Sequence, residues 1–214
     1  MKINWLGHAC FLVETSGLKI LIDPFDDSVG YPILSLSPDI VLISHEHHDH
    51  SAASLWGGKP ILIREAGERS LRGVEFRGIA TFHDDFQGEK SGKNLIFTIF
   101  SQGISLCHLG DLGHLLSPEQ LQEIGRVDVL MIPVGGIYTI DALDAHRVVQ
   151  QLLPRIVIPM HYWTSVLRYP LDSVDKFISG KNNVRRQSTM EITRETLPET
   201  LTYVVLDYRF LGGE

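Results

Sequence analysis

Within the six-residue stretch His45-Glu46-His47-His48-Asp49-His50 lie four of the chain's ten histidines, directly after the apolar run Ile40-Val41-Leu42-Ile43. In extended backbone, side chains two residues apart point the same way, so His45 and His47 can grip one ion. Asp49 and His50 lie one short step along the loop and can reach a second. Neutral imidazoles mixed with carboxylates suit borderline-soft divalent cations such as zinc. A tag would sit at a terminus, and a solvated loop rarely concentrates histidine and carboxylate at this spacing. The cluster therefore predicts the start of two metal sites.

The elements that must position this cluster can be read around it. Ile3 and Trp5 alternate with polar neighbours, Cys10 to Glu14 continues as strand, Thr15-Ser16-Gly17 turns the chain and Leu18 to Ile22 returns it. Beyond a Pro/Ser-rich loop, three short apolar runs echo one another at 39–44, 128–133 and 155–159. Runs of this kind are strands covered on both faces. Each empties into a polar or glycine-rich loop, at His45 to His50, Val134-Gly135-Gly136 and Met160-His161-Tyr162. Sheets of such strands place ligands beyond the strands' carboxyl ends, so the three loops should converge on one site. Asn94 to Phe100 and Ile104 to Leu109 bracket Ser101-Gln102-Gly103 as a hairpin. Ser117-Pro118-Glu119-Gln120 opens a helix with a capping box, and Asp141 to Leu153 carries an apolar helical face. A shorter helix is expected over 171–179. No linker or charge run divides the chain, which predicts one domain over 1–214.

A two-metal site needs further donors. The candidates are His8, His83, Asp84, Asp85, His108, Asp111, His114, His146 and His161. Position after a strand favours His83, Asp111 and His161. His146 falls in a helix, His114 in a loop, and His48 points opposite to its neighbours, so these three read as structural or surface residues. His8 and His108 fit two roles equally: buried histidines donating to backbone carbonyls, or groups at the rim that orient a ligand or supply a proton. Gly135-Gly136 permits close backbone approach and offers amide donors. Tyr138, Tyr162, Trp163 and Arg168 follow strand ends and either line a pocket or serve as packing.

The run His45-x-His47-x-Asp49-His50 resembles the signature of the metallo-β-lactamase superfamily. Asp23 in Leu-Ile-Asp-Pro, His83 in a loop, Gly110-Asp111 after a hairpin and His161 after a late strand appear in that superfamily's order. The segments Trp5-Leu6-Gly7-His8-Ala9, His108-Leu109-Gly110-Asp111 and Pro133-Val134-Gly135-Gly136 are similar to those of small stand-alone hydrolases near L-ascorbate-6-phosphate lactonase and N-acyl-phosphatidylethanolamine phospholipase D. The resemblance implies an α/β fold, a four-layer αββα sandwich with the site at one edge. It implies that His45, His47 and His83 hold the first metal, that Asp49, His50 and His161 hold the second, and that Asp111 bridges them while Asp23 braces the first loop. Spacing alone does not choose His83 over His108; the resemblance does.

The implied activity is hydrolysis of an ester, lactone or phosphodiester in a small, including anionic, substrate by a hydroxide between two divalent ions, zinc first and manganese or iron tolerated. Asp49 and Asp111 would fix the hydroxide, and His108 or His8 would protonate the leaving group. Two alternatives compete: a di-iron redox protein of the same fold, and a catalytically silent metal-binding protein. Di-iron relatives generally replace a cluster histidine with a carboxylate at the position held here by His47.

With 43% hydrophobic and 21% charged residues the composition is that of a globular protein. The net charge of −7 repels nucleic acid and anionic lipid, which argues against a nuclease. Cys10 and Cys107 are expected as buried free thiols. No export signal or membrane-spanning run is visible, so a cytoplasmic enzyme is expected, and a secreted β-lactamase is not. The oligomeric state is not readable.

Overall fold

The computed structural model describes residues 1–208, and the following concerns those residues. The strands in chain order are β1 (Lys2–Gly7), β2 (Cys10–Thr15), β3 (Leu18–Ile22), β4 (Ile40–Leu42), β5 (Ile61–Ile63), β6 (Gly67–Leu71) and β7 (Val74–Phe82). They continue with β8 (Lys93–Ser101), β9 (Ile104–His108), β10 (Val129–Pro133), β11 (Ile156–Met160), β12 (Val184–Gln187), β13 (Met190–Glu191) and β14 (Thr202–Leu206). Three helices, α1 (Pro118–Ile124), α2 (Ala142–Leu152) and α3 (Val174–Ile178), complete the set. None is long and apolar enough to cross a membrane.

The strands form a six-stranded sheet in the order β13-β1-β2-β3-β4-β5 and an eight-stranded sheet in the order β12-β14-β11-β10-β9-β8-β7-β6. Period-two alternation divides the first sheet between two cores. Ile20, Ile22, Ile40 and Leu42 join Ile79, Ile96, Phe97 and Leu106 of the second sheet in the larger core. Leu12, Leu21 and Val41 face the other way, onto Phe25, Tyr31, Trp56 and Leu167. That outer layer is built from two 3-10 turns (Asp27–Val29 and Ala53–Trp56) and extended loops. On the far side, Ala145, Val148, Val149 and Leu152 of α2 pack into the larger core, as the helical spacing predicted.

The three echoing apolar runs belong to different sheets. β4 lies in the six-stranded sheet, whereas β10 and β11 pair in parallel in the eight-stranded one. They still converge. β1, β3 and β4 run in one direction, as do β7, β9, β10 and β11. Hydrogen bonds from Leu95 N to Ser44 O (2.9 Å) and from His161 N to His8 O (3.0 Å) join the two sheets where these strands end.

The capping box at Ser117 and Gln120 is present, with proline at the helix start. The expected helix over 171–179 shrinks to α3. Ahead of it the chain stays extended, because Trp163 N donates to Asp172 O (2.9 Å) and Asp172 N to Gly135 O (2.9 Å). Both cysteines are buried and free.

Candidate metal centre

The six-stranded sheet contributes the loop after β4, the turn after β1 and the residue after β3. Asp23, fully buried at that last position, organises the loop. Its carboxylate accepts from Ser44 N (2.7 Å), from Ser44 Oγ (2.7 Å) and from His50 Nδ1 (3.1 Å). With the Ser44 hydroxyl proton committed to Asp23, His45 Nδ1–H donates to Ser44 Oγ (2.9 Å). Both bonds place the ring proton on Nδ1 and turn the Nε2 lone pairs of His45 and His50 inward. This is the outer support that ligand histidines need.

The eight-stranded sheet contributes His83 after β7, Asp111 after β9 and His161 after β11. Asp111 N donates to Asn94 Oδ1 (2.9 Å), and Asn94 Nδ2 donates to Thr81 Oγ1 (2.8 Å) and Leu109 O (3.0 Å). Gly110 is required here, since its φ is +55° and a Cβ would lie 2.3 Å from Asn94 Oδ1 and 2.7 Å from Ser44 Cβ. His8 and His161 both adopt left-handed backbone, φ 53° and 50°, joined by the bond between His161 N and His8 O. Such conformations cost on the order of 1–3 kcal/mol each and cluster at functional sites.

His83 opens a loop that closes around Asp84. That carboxylate accepts from four backbone amides: Phe86 (2.8 Å) and Gly88 (2.8 Å) on one oxygen, Lys90 (2.9 Å) and Ser91 (2.7 Å) on the other. Desolvation works against ionisation, but the four donors outweigh it and bring the carboxyl down to about 2. Asp84 thus shapes the loop that carries His83. We expect Asp84→Ala to leave overall folding intact and, if His83 is a ligand, to weaken its ion about 10–100-fold, as outer supports of ligands do. Competition against a chromogenic chelator measures it.

These pieces meet at Asp111. Its Oδ2 lies 3.1 Å from His83 Nε2, 3.2 Å from His161 Nε2 and 3.3 Å from His50 Nε2. Candidate donor atoms gather within 4.8 Å of one another in three sets: His45, His47 and His83; His8, His50 and His161; and His45, His50 and Asp111. Asp49 Oδ2 lies 3.2 Å from His8 Nε2 and 3.8 Å from His50 Nε2. Burial opposes charging of His50, yet the carboxylates of Asp111 and Asp23 on either side outweigh it and raise its pKa well above the usual value. Burial, with His50 adding to it, pushes His45 down to about 3. Burial and His161 push His8 down to about 4. Burial would raise Asp111, but His161 and His50 hold it well below the carboxylate range.

The donors fit divalent cations. His45 Nε2 and Asp111 Oδ1 are buried without a hydrogen-bond partner, and the His50 Nε2 contact is the ion pair to Asp111. Buried polar atoms are seldom left so, and two of them beside the pair of His50 and Asp111 match a site built for positive charge.

The structure brings His45, His47, His83, Asp49, His50, Asp111 and His161 together. It separates His108, whose Nε2–H donates to Ala9 O (2.9 Å) while Nδ1 accepts from Gly110 N (3.1 Å). With both ring nitrogens committed to backbone, His108 has no proton to give and no lone pair for an ion. Of the two roles open to His108, these bonds fit the structural one, a buried histidine bonded to backbone, and not the proton donor. His8 sits fully buried among the donors, with its Nε2 against Asp49 Oδ2, which fits the orienting role open to it. His48 is exposed, and His146 lies in α2, as expected, where it stacks on Phe177 of α3 (4.5 Å). Tyr162 packs on Trp5 (5.0 Å) within the core, and Arg168 donates to Asp27 O (3.2 Å), so neither lines a pocket. Gly135 serves close packing, as a Cβ there would lie 2.2 Å from His161 O. Sequence reasoning missed Asn94 and Tyr169. Nothing in their spacing marks them.

A family model described as a β-lactamase superfamily domain matches residues 2–161. A UPF0173 metal-dependent hydrolase of Thermoplasma volcanium is 34% identical, the match covering 77% of this chain and 84% of the relative. A solved structure from Thermotoga maritima, proposed to be a zinc-dependent hydrolase of the metallo-β-lactamase superfamily, aligns at 39% identity and a TM-score of 0.81, over 96% of this chain and 97% of that one. Igni18, a metallo hydrolase of Ignicoccus hospitalis, aligns at 25% identity and a TM-score of 0.62, over 78% and 85%. Two sheets that share a rim of imidazoles and carboxylates are the frame of one class of proteins, the metallo-β-lactamase fold. The chain belongs to the metallo-β-lactamase superfamily.

Proposed function

We propose that this metal-dependent hydrolase works with two divalent cations, zinc by its donor set, on an ester, lactone or phosphodiester bond of a small substrate. His45, His47 and His83 would hold one ion, Asp49, His50 and His161 the other, with Asp111 reaching both. One observation carries the reading: a single oxygen of Asp111 lies within 3.3 Å of imidazole nitrogens from both groups. When bound, such a pair of ions activates water near neutral pH and polarises the substrate oxygen.

The chain's own residues do the rest. Asp49 and Asp111 accept hydrogen bonds from the attacking water and aim it. His8 Nε2–H donates to Asp49 and holds that carboxylate in place. Asp23 and Ser44 keep His50 and His45 in the tautomer whose lone pair faces the centre. With a formal charge of −7 the surface as a whole does not attract anions, so an anionic substrate depends on the positive centre itself.

The test is metal analysis with a hydrolysis screen over esters, lactones and phosphodiesters. We expect two zinc ions per chain at saturation, activity on at least one class, loss on chelation and recovery with zinc. A stoichiometry of one or none rejects the two-ion reading. Iron with a visible absorption band and no hydrolysis would favour redox chemistry instead.

A further inference from the structure

The loop after β11 carries a phenol to the mouth of the centre. The Tyr169 ring centroid lies 5.7 Å from that of His8, whose own ring is 4.2 Å from His161 and 5.1 Å from His50. Tyr169 is half-buried, and its hydroxyl also meets the Ser28 side chain. The hydroxyl lies 3.3 Å from Nε2 of His48, the exposed histidine between His47 and Asp49.

This placement is anchored along the loop. Tyr31 Oη and Thr164 Oγ1 lie 2.6 Å apart, and Arg168 N donates to Val29 O (3.1 Å). Leu171 N donates to Tyr169 O (2.9 Å). Gly30 admits the loop, since a Cβ there would lie 2.2 Å from Val166 O. A surface tyrosine serving only as cover would not need its hydroxyl aimed back at the histidine loop.

We infer that Tyr169 is a further catalytic residue, whose phenol donates a hydrogen bond to the substrate oxygen that gains negative charge, with His48 as the positioning residue. The inference rests on the proposed hydrolytic centre. With the proton of His48 on Nε2, that N–H donates to the phenol oxygen, and the phenol proton, which otherwise serves the Ser28 side chain, turns to the substrate oxygen when one arrives. A phenol, ordinarily titrating near 10, keeps that proton at neutral pH. No covalent step is involved. The phenol is the same before and after turnover, and its contribution is a hydrogen bond that strengthens as charge develops.

Inorganic phosphate serves as the probe, since it offers charged oxygens to the same position. Zinc-loaded wild type, Tyr169→Phe, His48→Ala and the double variant are titrated with phosphate by calorimetry, with zinc content and thermal midpoint recorded alongside. Tyr169→Phe should keep full zinc and an unchanged midpoint and weaken phosphate by about tenfold or more, the usual effect of losing a hydrogen bond to a charged group. His48→Ala should weaken it by less, and the double variant should match Tyr169→Phe, because His48 acts only through the phenol. Phosphate affinity unchanged within about twofold in Tyr169→Phe, additive losses in the double variant, or no phosphate binding by zinc-loaded wild type each overturns the inference. Failure of wild type to take up zinc removes the hydrolytic centre itself, and is read separately from zinc content.

Discussion

Asp111→Asn should, on the proposed two-ion centre, yield a folded protein that has lost more than about 100-fold in kcat/KM and binds fewer than two zinc ions, because the ligand that would reach both ions outweighs the outer supports that cost about 10–100-fold. Asparagine has nearly the same shape, and the backbone bond from residue 111 to Asn94 Oδ1 does not depend on the side chain. The charge is what changes. Three Nε2 atoms, of His50, His83 and His161, surround one oxygen at 3.1–3.3 Å, and no neutral amide replaces an anion among them. Asn also presents an N–H where a lone pair is needed, if its amide turns that way. Zinc stoichiometry by emission spectroscopy, with circular dichroism to verify the fold, decides the matter. Two tightly bound ions and wild-type turnover in this variant would remove Asp111 from between the sites.

The second large effect belongs to a residue that touches no ion. Asp23→Ala should lower stability by about 3 kcal/mol, because it strands a buried partner of a charge-bearing pair, and should weaken zinc about 10–100-fold. Asp23 holds three groups at once: the Ser44 amide, the Ser44 hydroxyl and His50 Nδ1. Losing it frees the His50 ring to rotate and removes one of the two carboxylates that raise its pKa. It also releases the Ser44 hydroxyl that sets the His45 tautomer. Urea titration of the metal-free protein gives the stability change at constant slope, and chelator competition gives the zinc change. A destabilised variant with wild-type zinc affinity would confine Asp23 to folding.

Much of this was legible in the sequence, for a physical reason. The cluster from His45 to His50 is contiguous, and fully buried strands such as β4, β10 and β11 are short unbroken apolar runs that stand out at single-sequence level. The strand-end position pointed to His83, Asp111 and His161 because the fold uses strand ends to present chemistry. His8 and His108 could not be separated that way. They differ in where the ring nitrogens find partners, and those partners, Asp49 for one and Ala9 O for the other, come from distant segments. Asn94 and Tyr169 were invisible for the same reason. Strands β6 and β12 were missed because they are largely exposed and carry little apolar alternation, and β5 because its apolar run is only three residues long.

The groups proposed to bind ions come from both sheets: His45, His47, Asp49 and His50 from the first, His83, Asp111 and His161 from the second. Cations held among them would therefore act as a clasp between two halves of the molecule. Loading them should slow hydrogen exchange at strand ends on both sides together, including amides far along the chain from any donor. Assembly and catalytic readiness then become a single event, and a chain short of metal would be loosest along the seam where substrate must enter.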